Sequence, residues 1–98
     1  MKYFWISWYQ RTSDYRPLSF PPNQRVLGWW KTGEVSDNSF TLVSLVKAKS
    51  EDDAKMSILI DWPEAKDNWR FCDEKENTSL SDRFQLSDWM EERINNEN

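Results

Sequence analysis

The chain has 98 residues, with 13 Lys and Arg against 17 Asp and Glu and no histidine, which suits one domain and leaves no length for a separate catalytic one. Lacking histidine, it has neither the usual general base nor the commonest metal ligand, and its one cysteine, Cys72, permits no internal disulfide and no Cys/His cluster. The apolar run behind Lys2 has no small-residue cleavage site and no stretch nears the roughly 20 apolar residues that span a bilayer, so a soluble, cytoplasmic protein with no membrane contact is expected.

The first element is a strand over Lys2 to Gln10, rich in aromatic and β-branched residues. Alternation sends Phe4, Ile6 and Trp8 one way and Tyr3, Trp5, Ser7 and Tyr9 the other. Both faces are largely apolar, which places the strand centrally, covered on both sides or showing one aromatic face to a partner. Arg11 to Gln24 contains Pro17, Pro21 and Pro22 and reads as irregular chain, pinned to the body by Leu18 and Phe20.

A second strand is expected over Arg25 to Lys31, with Gly28 marking a bulge or a close backbone approach. Thr32 to Ser39 carries turn residues, and Phe40 to Lys47 reads as a third strand that closes an antiparallel hairpin with the second. Phe40, Leu42 and Val46 fall on one of its sides, Thr41, Val43 and Leu45 on the other.

Ser50 followed by Glu51, Asp52 and Asp53 starts a helix, with a capping hydroxyl and three acids where the helix dipole favours them. Ala54 and Ile58 line one face with Leu59 beside it, and Pro63 stops the helix near Asp61-Trp62. A loop over Pro63 to Asn68 leads to a fourth strand, Asn68 to Asp73, in which Trp69 and Phe71 alternate with Arg70 and Cys72. Strand–helix–strand between residues 40 and 73 is a crossover, right-handed if both strands share a sheet. Glu74 to Asp82 reads as an exposed loop, its Asn77-Thr78-Ser79 sequon included. Ser87 or Asp88 caps a short helix through Arg93, with Glu91 in capping-box position after Asp88 and a small apolar face of Trp89, Met90 and Ile94.

The fold expected is therefore α+β: a single small domain over residues 1–94 with a mostly antiparallel sheet of about four strands, one main helix and a short C-terminal helix, in the order β-β-β-α-β-α, and a frayed tail over 95–98.

Seven tryptophans and a hidden charge split bear on function. Residues 1–49 carry a net +4 and residues 50–98 a net −8. Fifteen aromatic side chains at about 200 Å² each can bury on the order of 3,000 Å², about a quarter of the surface such a chain hides on folding, so Trp and Phe can serve as its core, and any left exposed suit protein interfaces. Trp29 and Trp30, adjacent on a strand, face opposite sides. Arg11, Arg16, Arg25 and Lys31 surround the aromatic segments, yet the acidity of the whole chain disfavours nucleic acid as a partner. Cys72 would need a cationic neighbour to become a nucleophile, and Arg70 is its one candidate. Asp61, Glu64 and Asp67 gather around Pro63 as solvated turn residues rather than as an acid–base pair.

No enzyme, cofactor or metal site is expected. The leading expectation is a protein-binding domain, an inhibitor or adaptor that occludes a partner with a basic surface. Trp5, Tyr15, Trp29 and Trp30 are the expected contacts, and Asp52, Asp53, Glu74 and Glu76 the steering charges. In general type the chain looks like the short proteins with which phages and mobile elements block host nucleic-acid-processing machinery, a likeness that no motif carries. The alternative is a ligand-binding module whose aromatic strand face takes single-stranded nucleic acid or sugar, and a homodimer closing its own sheet face is a third arrangement.

Overall fold

The computed structural model describes residues 1–14, 21–75 and 84–96. Strand β1 (Lys2–Arg11) is followed by a 3-10 turn (Thr12–Asp14), β2 (Val26–Ser36), β3 (Ser39–Ala48), α1 (Glu51–Asp61), a second 3-10 turn (Pro63–Ala65), β4 (Trp69–Lys75) and α2 (Asp88–Asn96). The four described strands form one sheet in the order β2-β3-β1-β4, every neighbouring pair antiparallel. Because β3 and β4 both run against β1, they are parallel to each other, and α1 crosses β1 to join them.

β1 forms a ladder with β3 along its whole length, from Lys2 opposite Ala48 to Arg11 opposite Ser39. Its alternation sorts the core into two layers, one on each side of the sheet. On the first face, Phe4, Ile6 and Trp8 join Phe40, Leu42, Val46 and the α1 residues Ala54 and Ile58. Trp8 leans on Trp62 and Trp69, and Trp29 meets Trp62 edge-on at 5.7 Å, pairs that contribute about 0.5–1.5 kcal/mol each beyond their buried area. On the second face Trp5, Leu27, Val43 and Leu45 are buried, with Tyr3, Trp30, Phe84, Leu86 and Ile94 packed against them.

α1 starts as its residues dictate. Ser50 Oγ accepts from the Asp53 amide at 3.2 Å, while the Asp53 carboxylate accepts from the Lys49 amide at 3.0 Å. The residue before a proline is driven out of the helical region, and the Trp62 amide closes the final turn on the Ile58 carbonyl at 2.8 Å. Gly28 sits at a register shift between β2 and β3, as a glycine inside a strand suggests. A Cβ there would lie 2.5 Å from Cη2 of Trp30.

Several boundaries differ from the sequence reading. β2 runs on to Ser36, so the turn shrinks to Asp37-Asn38; Thr32 and Thr41 share a hydroxyl hydrogen bond at 2.9 Å and Ser36 and Ser39 another at 3.1 Å, pairing polar strand ends that composition alone assigns to a loop. Pro63–Ala65 is a 3-10 turn with Ala65 buried, not open loop. Glu74 belongs to β4. α2 extends to Asn96, past its expected end at Arg93, and its first helical residue is Asp88, which puts Ser87 at the cap position and takes Asp88 out of the capping-box role. Leu18, Phe20 and the glycosylation sequon lie outside the described residues.

Two polar hubs tie the layers together. Asn23 donates through its backbone and side-chain nitrogens to Asp61 and to the Ser57 carbonyl on α1. Its own carbonyl accepts from Arg93 of α2, whose guanidinium also reaches the Pro22 and Val26 carbonyls, at 2.6 to 2.8 Å. Arg93 further lies 4.9 Å over the Trp89 ring, and burial lowers its pKa. At the far end Gln10, fully buried, accepts from Trp8 Nε1 at 3.1 Å and donates to Glu64 at 2.8 Å.

Candidate functional site

Among the described residues, α2 and residues 84–87 before it cover part of the second sheet face. Phe84 stacks on Trp30 with centroids 4.5 Å apart, and Trp30 Nε1 donates to the Gln85 carbonyl at 2.9 Å, which closes that part over Trp5. Beyond Phe84 lies a groove of about 340 Å³ lined by Trp5, Ser7, Thr32, Val43, Arg70, Phe71, Asp73 and Phe84. Phe71 stands opposite Ser7 and is 38% exposed, and Tyr9, further along the same face of β1, is 40% exposed. The Ser7 hydroxyl is already spent on the Leu42 carbonyl at 2.7 Å.

The expected contact residues divide among different environments. Trp5 is 4% exposed and forms the floor of the groove. Trp29 and Trp30 do face opposite sides, each half-buried: Trp29 packs on Trp62 in the first layer and Trp30 on Trp5 and Phe84 in the second. Tyr15 and Glu76 lie outside the described residues. Asp53 is engaged at home, because Arg25 contacts its carboxylate at 2.6 Å; the Lys49 amide, then the Arg25 guanidinium, hold its carboxyl below the usual aspartate value.

Asp52 and Glu74 reach the same strand from different elements, Asp52 from the start of α1 and Glu74 within β4 itself. The start of α1 lies over β4, where Glu51, Asp52 and Asp73 all bear electrostatically on Cys72. Glu74 follows two residues on and meets Lys2 at 3.5 Å, and Lys55 meets Glu51 at 3.6 Å. Four acids, Glu51, Asp52, Asp73 and Glu74, thus lie on or over β4, with the cations Lys2, Lys55 and Arg70 among them.

The same surroundings settle Cys72. Burial first, and the nearby Glu51 carboxylate next, push its thiol up to about 11. Arg70 does not offset this, because a register shift between β1 and β4 at residues 69–71 takes it to the groove side. The carboxylates around Pro63 also part company: Asp61 holds Asn23, Glu64 holds Gln10, and Asp67 occupies a turn at φ 67°, a conformation aspartate tolerates. Of the basic residues near the aromatics, Arg25 is paired with Asp53, Lys31 lies 4.7 Å over the Phe40 ring, Arg11 is exposed, and Arg16 is outside the described residues. Among the described residues no three His, Cys, Asp or Glu side chains gather as a metal site, and no helix is long and apolar enough to cross a membrane.

Phe71, Tyr9, Arg70 and Asp73 are the surface residues that the sequence reading passed over. One signal was present: Phe71 shares the alternation of β4, so it had to face away from Cys72, toward whichever side α1 did not cover. No protein-family model, curated protein or solved structure matches the chain.

Proposed function

We propose that this chain is a non-enzymatic protein-binding domain, an inhibitor or adaptor that occludes a basic surface on its partner. One observation carries the reading: along the edge strand β4 an exposed aromatic residue, Phe71, lines a groove together with Asp73, while Glu74 and the α1 acids Glu51 and Asp52 lie at the other face of the same edge strand. An apolar anchor beside like charges is what a partner of opposite charge docks on, the anchor giving residence and the acids giving approach rate and choice of partner. Trp5 and Trp30 then support the docking face as floor and wall, and Phe71 and Tyr9 make the contact. The protonated thiol and the carboxylates held in structural hydrogen bonds support a role without chemistry of its own.

The test is capture from nuclease-treated lysate at moderate salt, comparing the wild type with Phe71→Ala and with the double variant Asp52→Lys/Glu74→Lys, each checked for folding by circular dichroism. A stoichiometric protein retained by the wild type and lost by both variants supports the reading. Recovery of the bait alone, or equal retention by all three, overturns it.

A further inference from the structure

The turn that leads into β2 forms a cradle of carbonyl oxygens. Those of Pro22, Asn23 and Val26 converge on the Arg93 guanidinium at 2.6, 2.8 and 2.6 Å, short distances that mark charge-assisted bonds. The Asp61 and Glu92 carboxylates bear electrostatically on the same cation. α2 does not shape this cradle. Asn23 donates to Asp61 and to the Ser57 carbonyl of α1, and its side-chain oxygen accepts from the Arg25 amide at 3.1 Å. The Lys47 amide of β3 holds the Arg25 carbonyl at 2.8 Å, and the Val26 amide closes the turn on the Asn23 carbonyl at 3.0 Å. α1 and β3 thus set the carbonyls in place without help from the helix that fills them. α2 itself buries Met90 alone, and Arg93 is half-buried, within reach of solvent.

We infer that the turn over residues 22–26 is a guanidinium-binding site, which takes an arginine side chain of the basic partner in exchange for Arg93. This rests on the protein-binding reading and specifies the group that the partner inserts. A guanidinium fits because its donors form a rigid planar fork, so that two nitrogens reach three carbonyls at once. An ammonium is a compact, more strongly hydrated point charge and serves such a spread of acceptors less well. Arg93 occupies the cradle as a tethered competitor, and the tether gives it a high effective concentration there. A partner arginine displaces it only with the help of neighbouring contacts, which reserves the exchange for a matched surface. The exchange also uncovers the apolar area under Ile94, on the cluster of Trp5, Leu27, Val43 and Leu45, so that burial adds to the charge contact.

Ethylguanidinium is the probe and ethylammonium its control, each titrated at millimolar concentration into isotope-labelled protein. Arg93→Met empties the cradle and keeps an apolar stem beside the Trp89 ring. In that variant ethylguanidinium should move the amide NMR signals of Asn23, Arg25 and Val26 in a saturable way. Ethylammonium should bind about tenfold more weakly, the worth of one hydrogen bond to a charged group. The wild type supplies a second readout, which decides the matter if Arg93→Met does not fold. There the probe competes with Arg93, so the signals of residues 22–26 and of α2 should move together, at higher concentrations than the variant needs. An equal response to the two cations, or no saturable shift in either protein, overturns the inference.

The lysate capture separates the two readings. Freed of its internal competitor, Arg93→Met should retain the same protein about tenfold better than the wild type, as for a site otherwise free about one-tenth of the time. An Arg93 that only braces the fold predicts weaker retention instead. If Arg93→Met holds that protein no better than the wild type, the exchange falls and the binding reading stands. If the cations bind as expected while no protein is captured, the binding reading falls and the guanidinium site remains.

Discussion

Replacing Gly28 by alanine tests the packing of the second face, because the glycine is there for space. The Cβ of an alanine would stand 2.5, 2.8 and 3.3 Å from three carbons of the Trp30 ring, and none of the described glycines has a positive φ, so conformational freedom is not the requirement. The Trp30 indole cannot yield freely. It is stacked on Phe84, tilted against Trp5 at 6.0 Å, and hydrogen-bonded to the Gln85 carbonyl. Overpacking of this kind costs about 1–3 kcal/mol. Losing the indole hydrogen bond adds about 1 kcal/mol, and the stiffer unfolded chain of alanine returns about 0.4–1 kcal/mol. The net is a loss of about 2–3 kcal/mol, which for a domain of this size lowers Tm by roughly 10–20 °C. Thermal melts read by near-ultraviolet circular dichroism measure it. Trp30→Leu in the same chain should relieve the clash, so the double variant should be more stable than the two single losses predict. A Gly28→Ala protein that melts within about 2 °C of the wild type would refute the argument.

Three other outcomes follow from the same packing. Arg93→Lys, which leaves one ammonium to serve three carbonyls on the 22–26 segment, should lower unfolding free energy by about 2 kcal/mol in urea; an unchanged urea midpoint would mean the clamp is idle. Asp53 is lowered from 3.8 in the folded protein, so its contribution is full above the unfolded value and disappears as pH falls through the folded one. Asp53→Asn should accordingly be less stable than the wild type at neutral pH and converge with it in acid, as urea melts at stepped pH would show. A Cys72 thiol near 11 instead of 9.0 holds about a hundredfold less thiolate at pH 7.5, and disulfide reagents should therefore react slowly until denaturant is added. Fast reaction in native buffer would contradict the burial assigned to it.

The layering of the sheet was legible because it depends on alternation, which local sequence carries. Phe4-Ile6-Trp8 against Trp5, and Leu42-Val46 against Val43-Leu45, separate in the structure as they do on paper. Capping by Ser50 and the irregularity at Gly28 were legible for the same reason, each being decided within a few residues. What the sequence hid was decided by chain partners far away. Whether Trp5 is a surface anchor or a floor depends on Phe84, Leu86 and Ile94 arriving over it, and a short helix with a three-residue apolar face gives no sign of where it docks. Arg93 and Asn23 read as ordinary polar residues, because their significance lies in carbonyls and carboxylates about 35 to 70 positions distant. Arg70 was misplaced beside Cys72 by a single register shift, since one extra residue sends a strand side chain to the other face.

The position of β1 between β3 and β4 shapes how the chain must come together during synthesis. β1 is complete by residue 11, β3 by residue 48 and β4 by residue 75, so a segment reading Phe-Trp-Ile-Ser-Trp-Tyr waits for both neighbours. At roughly 5–20 residues per second, several seconds separate its emergence from the ribosome from that of its last partner. Until β3 arrives that uncharged aromatic segment has no partner, and until β4 arrives one of its edges stays open, the kind of strand that recruits other chains. Contacts this distant in sequence also close slowly. Yield in the cell should therefore depend on elongation speed and on chaperones that shelter the first strand, even where the finished fold is stable.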